Sequence, residues 1–227
     1  MKRSSAFRPV TTPTADKKAF LDACWRGDTV AVTKAIREGI DPNFSLGGIH
    51  KPLVYALQNG QDEILKILLE NGASPNTAVE ADPILHHAFA APSKDAVEML
   101  LDHGADPTQP DGSGMNTIVD AAVIGGDDVL VNLAIRLMQE EGGMRRRDLY
   151  TEGLHAAVRE RNLDLAWKFL NLGADPDYAG PKSIYGLPPM IKAVCLHDKP
   201  MIRLLASFGA RAGLHTSFIH DTLTEAR

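Results

Sequence analysis

Cysteine, long apolar stretches and an excess of basic charge are all lacking in this sequence. Its 227 residues include two cysteines, Cys24 and Cys195, which cannot form a disulfide framework or a paired Cys-x-x-Cys metal site. No run approaches the roughly 18 uninterrupted apolar residues of a membrane-spanning helix, and the first residues lack the apolar core of a secretory signal. We therefore expect an intracellular, cytoplasmic protein with no membrane partner.

The balance of charges argues against a nucleic-acid partner. Lysine and arginine number 24 against 29 aspartates and glutamates, which gives a net charge of −5 and no general affinity for phosphate backbones. Hydrophobic residues make up 44% and charged residues 23%, the composition of an ordinary soluble globular protein. The length is compatible with one domain or with an elongated array of repeats.

Six short apolar segments, each ending in alanine, recur at a nearly constant spacing. The alanines fall at positions 23, 56, 88, 122, 157 and 193, so the intervals are 33, 32, 34, 35 and 36 residues. A glycine follows the alanine by 16 residues in five units and by 20 residues in the fourth. This register, kept over six units, predicts a repeat architecture.

Each unit has the pattern of two short helices. The first segment ends in alanine, where a neighbouring unit must approach closely, and the second has apolar residues at helical spacing, as in residues 64–69. The glycines at 39, 72, 104, 173 and 209 fit the left-handed residue that ends a helix, and the following Asp-Pro or Ser-Pro prevents its continuation. Because one unit is too small to bury its own apolar face, the units are expected to stack around a continuous core.

These units resemble ankyrin repeats, with a Thr-Pro-Leu-His-x-Ala opening and a Leu-Leu-x-x-Gly-Ala-Asp-Pro-Asn close. The closes here include GASPN, GADP and GADPD, and the openings are KPLVYA (51–56), PILHHA (83–88), TIVDAA (117–122), EGLHAA (152–157) and PPMIKA (188–193). The resemblance implies an all-α fold, an ankyrin-repeat solenoid of stacked helix-turn-helix units with extended hairpin loops.

The expected organisation has three parts. Residues 1–16 are predicted to be a disordered tail, because they are polar and contain proline. Residues 213–227 are predicted to form either a C-terminal capping helix or a truncated further repeat. The ankyrin-repeat domain covers 17–212, with units near 17–45, 50–78, 83–110, 117–146, 151–180 and 187–212. The fourth unit is irregular, since LMQEEGG (137–143) adds a turn, and we expect a kink or a change of curvature there.

The sequence contains no recognisable catalytic constellation. His86 and His155 occupy the histidine of the Leu-His-x-Ala motif, where the resemblance implies a structural hydrogen bond to the turn between repeats. Neither cysteine lies in a nucleophile motif, and both are expected to be partly buried structural thiols. His-Glu-x-x-His is absent, so no metal or cofactor is predicted. We therefore predict that the chain is not an enzyme.

The resemblance implies that the loop tips and the ends of the inner helices line one concave face that binds a partner protein. Apolar and aromatic side chains placed there are typical of partner anchors. At the ends of inner helices the candidate partner-binding residues are Trp25, Arg26, Gln58, Asn59, Ile124, Arg159, Glu160 and Leu196. In the loops they are Phe44, His50, Ile184, Tyr185 and Leu187, with the alternative that these side chains fold back onto the neighbouring loop.

Two further features are second-choice binding candidates. Trp167 stands at an outer-helix position that other units fill with polar residues, and Lys168 takes the next, usually apolar, position. Trp167 either packs against the irregular fourth unit or is an exposed aromatic residue. Arg145, Arg146 and Arg147 are expected in a solvated loop near a helix C-terminus, or as a site for phosphate or an acidic partner.

The predicted function is a non-catalytic protein–protein interaction module, which is the role of adaptors, inhibitors and scaffolds, in a protein that is monomeric on its own. A rigid stack would present variable side chains at little ordering cost. Two alternatives stay open: a targeting module of a longer polypeptide, and a small-ligand or enzymatic site in the irregular segment 137–151.

Overall fold

A computed structural model describes residues 14–48, 50–113, 116–178 and 187–211 of the chain. Over these residues the structure is mostly helical, with short helices in consecutive pairs. The chain divides into two compact units, residues 1–80 and residues 81–227.

The first unit contains two helix pairs. In each pair an inner helix, which carries the repeat alanine, is followed by an outer helix: α1 (Thr14–Arg26), α2 (Thr29–Arg37), α3 (Pro52–Gln58) and α4 (Asp62–Glu70). The inner helix α1 packs on α3, and the outer helix α2 packs on α4. Buried Phe20, Val32, Leu53, Leu65 and Leu68 form the centre of its core. A two-residue strand, β1 (Ala78–Val79), follows.

The second unit begins with a two-residue strand, β2 (Asp82–Pro83), and continues with four helix pairs. The inner helices α5, α7, α9 and α11 pack on one another in that order. The helices are α5 (Ile84–Ala90), α6 (Lys94–Asp102), α7 (Ile118–Gly125), α8 (Asp128–Glu140), α9 (Arg146–Arg159), α10 (Leu163–Leu172), α11 (Pro189–Cys195) and α12 (Lys199–Ser207).

The predicted helix ends are confirmed. Glycines 39, 72, 104, 173 and 209 all have φ between 83° and 98°, the left-handed conformation that ends a helix. Five of the six described outer helices, all except α4, also share a start signal that lies five residues after the repeat alanine. There a side-chain oxygen accepts the backbone N–H three residues later, and the capping residues are Asp28, Ser93, Asp127, Asn162 and Asp198.

The fourth repeat departs from the others in its helix lengths. Its outer helix α8 has 13 residues, compared with nine or ten in the other outer helices, which confirms the extra turn. Helix α9 then begins at Arg146, so the next inner helix starts earlier than the expected position 151. Arg146 and Arg147 therefore lie in the first turn of a helix, with Arg145 as its N-cap, and their expected placement in a loop is wrong.

The expectations at the ends of the chain are only partly within the described residues. Helix α1 begins at Thr14, so residues 14–16 are helical and their assignment to a disordered tail is wrong. Residues 1–13 and 213–227 lie outside the described residues. Cys24 is fully buried, as expected of a structural thiol, whereas Cys195 is exposed at the end of α11, contrary to expectation.

Two histidines connect inner helices to the following loops. His86 Nε2 donates to the carbonyl of Gln109 at 2.9 Å, and His155 Nε2 donates to the carbonyl of Tyr178 at 2.7 Å. In both cases the acceptor lies 23 residues further along the chain. Burial lowers the pKa of both imidazoles, which keeps them neutral at neutral pH. The predicted structural role of these histidines is confirmed.

A buried carboxyl group joins α9 to the start of α7. Glu152 is 7% exposed, and its Oε1 accepts hydrogen bonds from Thr117 N at 2.8 Å and Thr117 Oγ1 at 2.7 Å. Burial raises the pKa of Glu152 to about 7, although the two Thr117 donors oppose that rise. The folded protein therefore holds a proton that the unfolded chain releases at much lower pH.

The substitution Gly153→Ala tests the packing of α9 against α10. Alanine normally stabilises a helix interior by about 1 kcal/mol relative to glycine. Here a Cβ on residue 153 would lie 2.2 Å from Cζ of Phe169, whose ring is fully buried and cannot move aside. We therefore expect a net loss of about 1–3 kcal/mol in the free energy of unfolding, measured by urea denaturation. Adding Phe169→Leu should recover part of that loss, and a stabilised Gly153→Ala protein would contradict the packing.

The substitution Glu152→Gln tests the buried proton. The ordinary pKa is 4.5 and the folded value is about 7, so folding stability falls as pH rises through this window and then levels off. Glutamine cannot ionise, so Glu152→Gln should match the wild type in acid and exceed it by about 3 kcal/mol above neutral pH. Denaturation at several pH values measures this difference, and the histidine contributions cancel in it. Glu98→Gln, at an exposed position, is the matched control, and a pH-independent difference would contradict the assignment.

Candidate interaction surface

In the first unit, the end of α1 presents an aromatic side chain to solvent. Trp25 is 51% exposed, a large fraction for a tryptophan. Its ring meets the edge of the Tyr55 ring from α3, with the centroids 5.7 Å apart and the planes at 68°. Gln61 Nε2 donates to the carbonyl of Trp25 at 3.3 Å, which fixes the backbone beneath the ring. The indole is therefore held in place although half of it faces water.

The loop between α2 and α3 completes this aromatic group. Leu46 and His50 form an antiparallel bridge with backbone N–O distances of 3.0 and 3.1 Å, which brings His50 back toward α3. His50 Nδ1 and Tyr55 Oη are hydrogen-bonded at 2.7 Å, and the rings are 5.8 Å apart. Trp25, Tyr55 and His50 thus form one continuous aromatic surface that spans two repeats.

An open groove of about 620 Å³ lies against this surface, and we call it the Trp25 groove. Its apolar wall consists of Leu21, Trp25, Leu46 and Tyr55, and it is completed by Lys18, Asp22, Gly47 and His50. Asp22 pairs with Arg26 at 2.8 Å, and because both side chains are well exposed the pair adds little stability. Lysine and aspartate on the rim leave the groove without a dominant charge.

The other predicted residues of the first unit have different roles. Gln58 is exposed at the end of α3, while Asn59 Nδ2 donates to the carbonyl of Tyr55 and so closes that helix. Phe44 is only 6% exposed, because its ring packs 5.9 Å from Phe20, so its prediction as an exposed anchor is wrong. This loop side chain folds back into the core.

Tyr55 was not among the predicted binding residues, although the repeat pattern contains a feature that distinguishes it. Tyr55 directly precedes a repeat alanine, where the other units have Asp22, His87, Ala121, Ala156 and Lys192. This position faces the same groove as the residue two places after the alanine of the preceding unit, which is Trp25. Comparing this column across the six units would have identified Tyr55 as the aromatic exception.

The second unit has a smaller and more polar cavity of about 200 Å³, which we call the acidic pocket. It is lined by Asp82, His86, His87, Asp111, Asn116 and Asp120, with Ala90, Ala121 and Ile124 as its apolar part. Ile124, a predicted binding residue, is 48% exposed there. Asp120 comes from α7, and Asp111 from the loop between α6 and α7.

Two other predicted residues lie beside the acidic pocket. Arg159 Nη2 donates to Asp120 Oδ2 at 2.9 Å, and Arg159 Nε donates to Glu160 Oε1 at the same distance. The guanidinium is therefore half-buried and held between two carboxylates. We assign Arg159 and Glu160 to the support of Asp120.

The remaining predicted residues of the second unit are dispersed. Leu187 is 39% exposed just before α11, and Leu196 is half-buried, with its carbonyl accepting from Arg161 Nη2 at 2.7 Å. Ile184 and Tyr185 lie outside the described residues, so their predicted role remains an expectation.

The second-choice candidates lie outside both cavities. Trp167 on α10 is 57% exposed, so the alternative in which it packs against the fourth repeat is wrong. Lys168 reaches back instead and pairs with Asp128 of α8. Of the three arginines, Arg147 pairs with Asp175 at 2.6 Å, while Arg145 and Arg146 are exposed at the start of α9.

Neither a metal site nor a membrane-spanning helix is found in the part of the chain that the structure describes. No group of three or more His, Cys, Asp or Glu side chains there is placed to hold a metal ion. None of the helices described is both long enough and apolar enough to cross a membrane.

Comparison with known proteins identifies ankyrin repeats in this chain. The family model for ankyrin repeats (three copies) matches residues 20–111. The human SH3 and multiple ankyrin repeat domains protein 2 is 32% identical over 152 residues, which is 63% of this chain and 8% of that protein. Myotrophin from Xenopus tropicalis is 44% identical over 57 residues, which is 25% of this chain and 48% of that protein. The chain thus spans less than two thirds of either relative.

Solved structures show the same fold. The crystal structure of the human ASB11 ankyrin repeat domain matches with a TM-score of 0.68 and 22% identity, over 90% of this chain and 96% of that one. An ankyrin repeat domain from Acinetobacter baumannii matches with a TM-score of 0.62 and 18% identity, over 86% of this chain and all of that one. With its repeated helix pairs, glycine-ended outer helices and histidine-held loops, the chain has the ankyrin-repeat fold, and its residues 20–111 match ankyrin repeats in sequence.

Proposed function

We propose that this chain is a non-catalytic interaction module, of the kind found in adaptors, inhibitors and scaffolds, that binds a partner protein through the Trp25 groove. The observation that carries the proposal is the half-exposed indole of Trp25, held edge-on against Tyr55 in a groove of about 620 Å³. Tryptophan and tyrosine are the residues most often found at the energetic centre of protein interfaces. A groove that is rigid before binding also lowers the entropic cost of association.

The chemistry of the groove indicates what its partner presents. Leu21, Trp25 and Leu46 offer an apolar wall, so the partner should insert a bulky apolar side chain. Lys18 and Asp22 on the rim can pair with either sign of charge and would select orientation more than identity. Exposed Arg26 and Gln58, at the ends of the two inner helices, extend the contact surface along the groove.

Several of the described groups that could support catalysis have structural roles. Burial raises the pKa of the Cys24 thiol to about 12, which removes it as a nucleophile at neutral pH. His86 and His155 each hold a loop carbonyl. In the irregular segment, Arg147 pairs with Asp175, and Thr151 Oγ1 donates to the carbonyl of Arg147. These contacts favour an interaction role over an enzymatic site in residues 137–151.

The same groove would serve whether the chain works alone or as a targeting module within a longer polypeptide. The human SH3 and multiple ankyrin repeat domains protein 2 is much longer than this chain, and the match covers 8% of that protein. Binding through a helix-and-loop surface needs only the repeats that form it. The proposal therefore concerns the groove, and it holds for either arrangement.

Trp25→Ala tests the groove, and Trp167→Ala is its matched control. Both indoles are more than half exposed on helices, so either truncation should leave the fold intact. Removing a central interface tryptophan costs about 2 kcal/mol or more, which weakens binding by about 30-fold. Partners retained by the wild type and by Trp167→Ala, but lost by Trp25→Ala, should be recovered by affinity capture from the source cell and their affinities then measured.

Tryptophan fluorescence tests whether the partner contacts the Trp25 groove. In a Trp167→Phe background Trp25 is the remaining tryptophan. Its fluorescence should shift to shorter wavelength when the recovered partner is added, because the partner displaces water from the indole. Equal retention by the Trp25→Ala protein, with circular dichroism matched to wild type, would contradict the proposed function.

A further inference from the structure

The acidic pocket of the second unit contains polar atoms that the fold leaves unused. Asp120 is 5% exposed, and among the described residues its Oδ1 has no hydrogen-bond partner. The same holds for Nε2 of His87, which also lines this pocket. A buried carboxylate oxygen without a donor destabilises the folded protein, so its presence calls for an explanation. One explanation is that a ligand supplies the missing donor.

The open acceptor arises from a substitution within the repeat pattern. In the segments LHHA (85–88) and LHAA (154–157), the second residue is a histidine that donates to a loop carbonyl. In VDAA (119–122) that position holds Asp120. A carboxylate accepts hydrogen bonds and cannot donate to a carbonyl, so it cannot replace the histidine. Arg159 satisfies Oδ2, whereas Oδ1 has no described partner, and Asp120 lines the pocket.

The other carboxylates of the pocket already have structural roles. Asp111 accepts from Ser113 N and Oγ and from Asn116 Nδ2, which fixes the loop before α7. Asp82 Oδ1 accepts from Gly112 N at 2.6 Å. Both groups therefore contribute negative charge at fixed positions, while Asp120 supplies the available acceptor.

The sum of these charges selects the sign of the ligand. Three carboxylates, from Asp82, Asp111 and Asp120, face one guanidinium, that of Arg159. Burial lowers the pKa of His86, so its imidazole adds no positive charge at neutral pH. The surplus is negative, which excludes phosphate or carboxylate ligands and favours a cation. Because no described cluster suits a metal ion, the cation should be an organic one with hydrogen-bond donors.

We infer that the acidic pocket binds the guanidinium group of an arginine side chain presented by a partner protein. The planar fork of a guanidinium offers five donors, and the pocket is lined by Asp120 and His87, whose Oδ1 and Nε2 have no described hydrogen-bond partner. Ala90, Ala121 and exposed Ile124 provide apolar contact for the aliphatic stem of the arginine. The inference extends the proposed interaction function to a second site, and it is tested with a small ligand so that it does not depend on the Trp25 groove.

The probe is N-acetyl-arginine methylamide, titrated at millimolar concentrations and constant ionic strength into the ¹⁵N-labelled full chain. We expect saturable shifts of the amide resonances of Ala90, Ala121 and Ile124, and none of this kind with the isosteric, uncharged citrulline derivative. The lysine derivative should bind more weakly, because an ammonium lacks the fork. Equal binding of citrulline, or no saturable shift with arginine, would overturn the inference and leave the Trp25 groove untouched.

Variants assign the binding to Asp120. Asp120→Asn should weaken arginine binding by at least about tenfold, because it removes the charge from the acceptor. The matched control is Asp175→Asn, which alters another aspartate paired with an arginine, outside the pocket. If Asp120→Asn does not fold, Ala90→Lys places a competing ammonium group at the pocket and should block the probe. Undiminished binding in a folded Asp120→Asn or Ala90→Lys protein would overturn the assignment.

Discussion

Close approach of consecutive inner helices is the constraint on which the structure of each unit depends. The repeat alanines at 56, 88, 122, 157 and 193 are all fully buried. A larger side chain at any of them would separate helices that must touch, because no repeat buries its apolar face alone. Gly153 extends the same constraint to the contact between α9 and α10, where the Phe169 ring occupies the space of a side chain. Loops and binding residues are positioned only after this contact is made.

Polar side chains then fix each loop relative to the helices that have packed. Where an inner helix supplies a histidine, a neutral imidazole donates to a carbonyl 23 residues later. On α9, Glu152 accepts hydrogen bonds from Thr117 and so holds the start of α7. Burial raises the pKa of this carboxyl group to about 7, so it stays protonated up to about neutral pH. Both ties use groups that are neutral, or nearly so, when buried, which avoids the cost of an unpaired charge.

The sequence predicted the structural features that follow the repeat spacing. It missed those that depend on one contact with a residue elsewhere in the fold. The glycine stops and the two histidine bonds recur at fixed offsets, and the extra turn of the fourth repeat is a departure from that spacing, so the repeat pattern located all of them. Phe44 was misjudged because its burial depends on the Phe20 ring, which no spacing rule connects to it. Cys195 was misjudged for a related reason, since the end of α11 is less covered than the end of α1.

The candidate sites show the same division between repeat pattern and individual neighbours. Trp25 was found because an aromatic residue at the end of an inner helix stands out in the pattern, whereas Asp120 was not selected. Its significance appears only when Arg159, on the next inner helix, is seen to occupy one of its two oxygens.

Equivalent repeat positions produce different recognition chemistry in the two units. The residue before the alanine of the later repeat is Tyr55 in the Trp25 groove and Ala121 in the acidic pocket, and the residue two places after the alanine of the earlier repeat is Trp25 in one and Ala90 in the other. With tryptophan and tyrosine at these positions, the space between repeats becomes an apolar groove. With alanine at both positions, and Asp120 in place of the motif histidine, it becomes a small acceptor-rich pocket. Because the backbone contacts that set the spacing are common to both, the side chains at a few repeat positions decide what each site can bind.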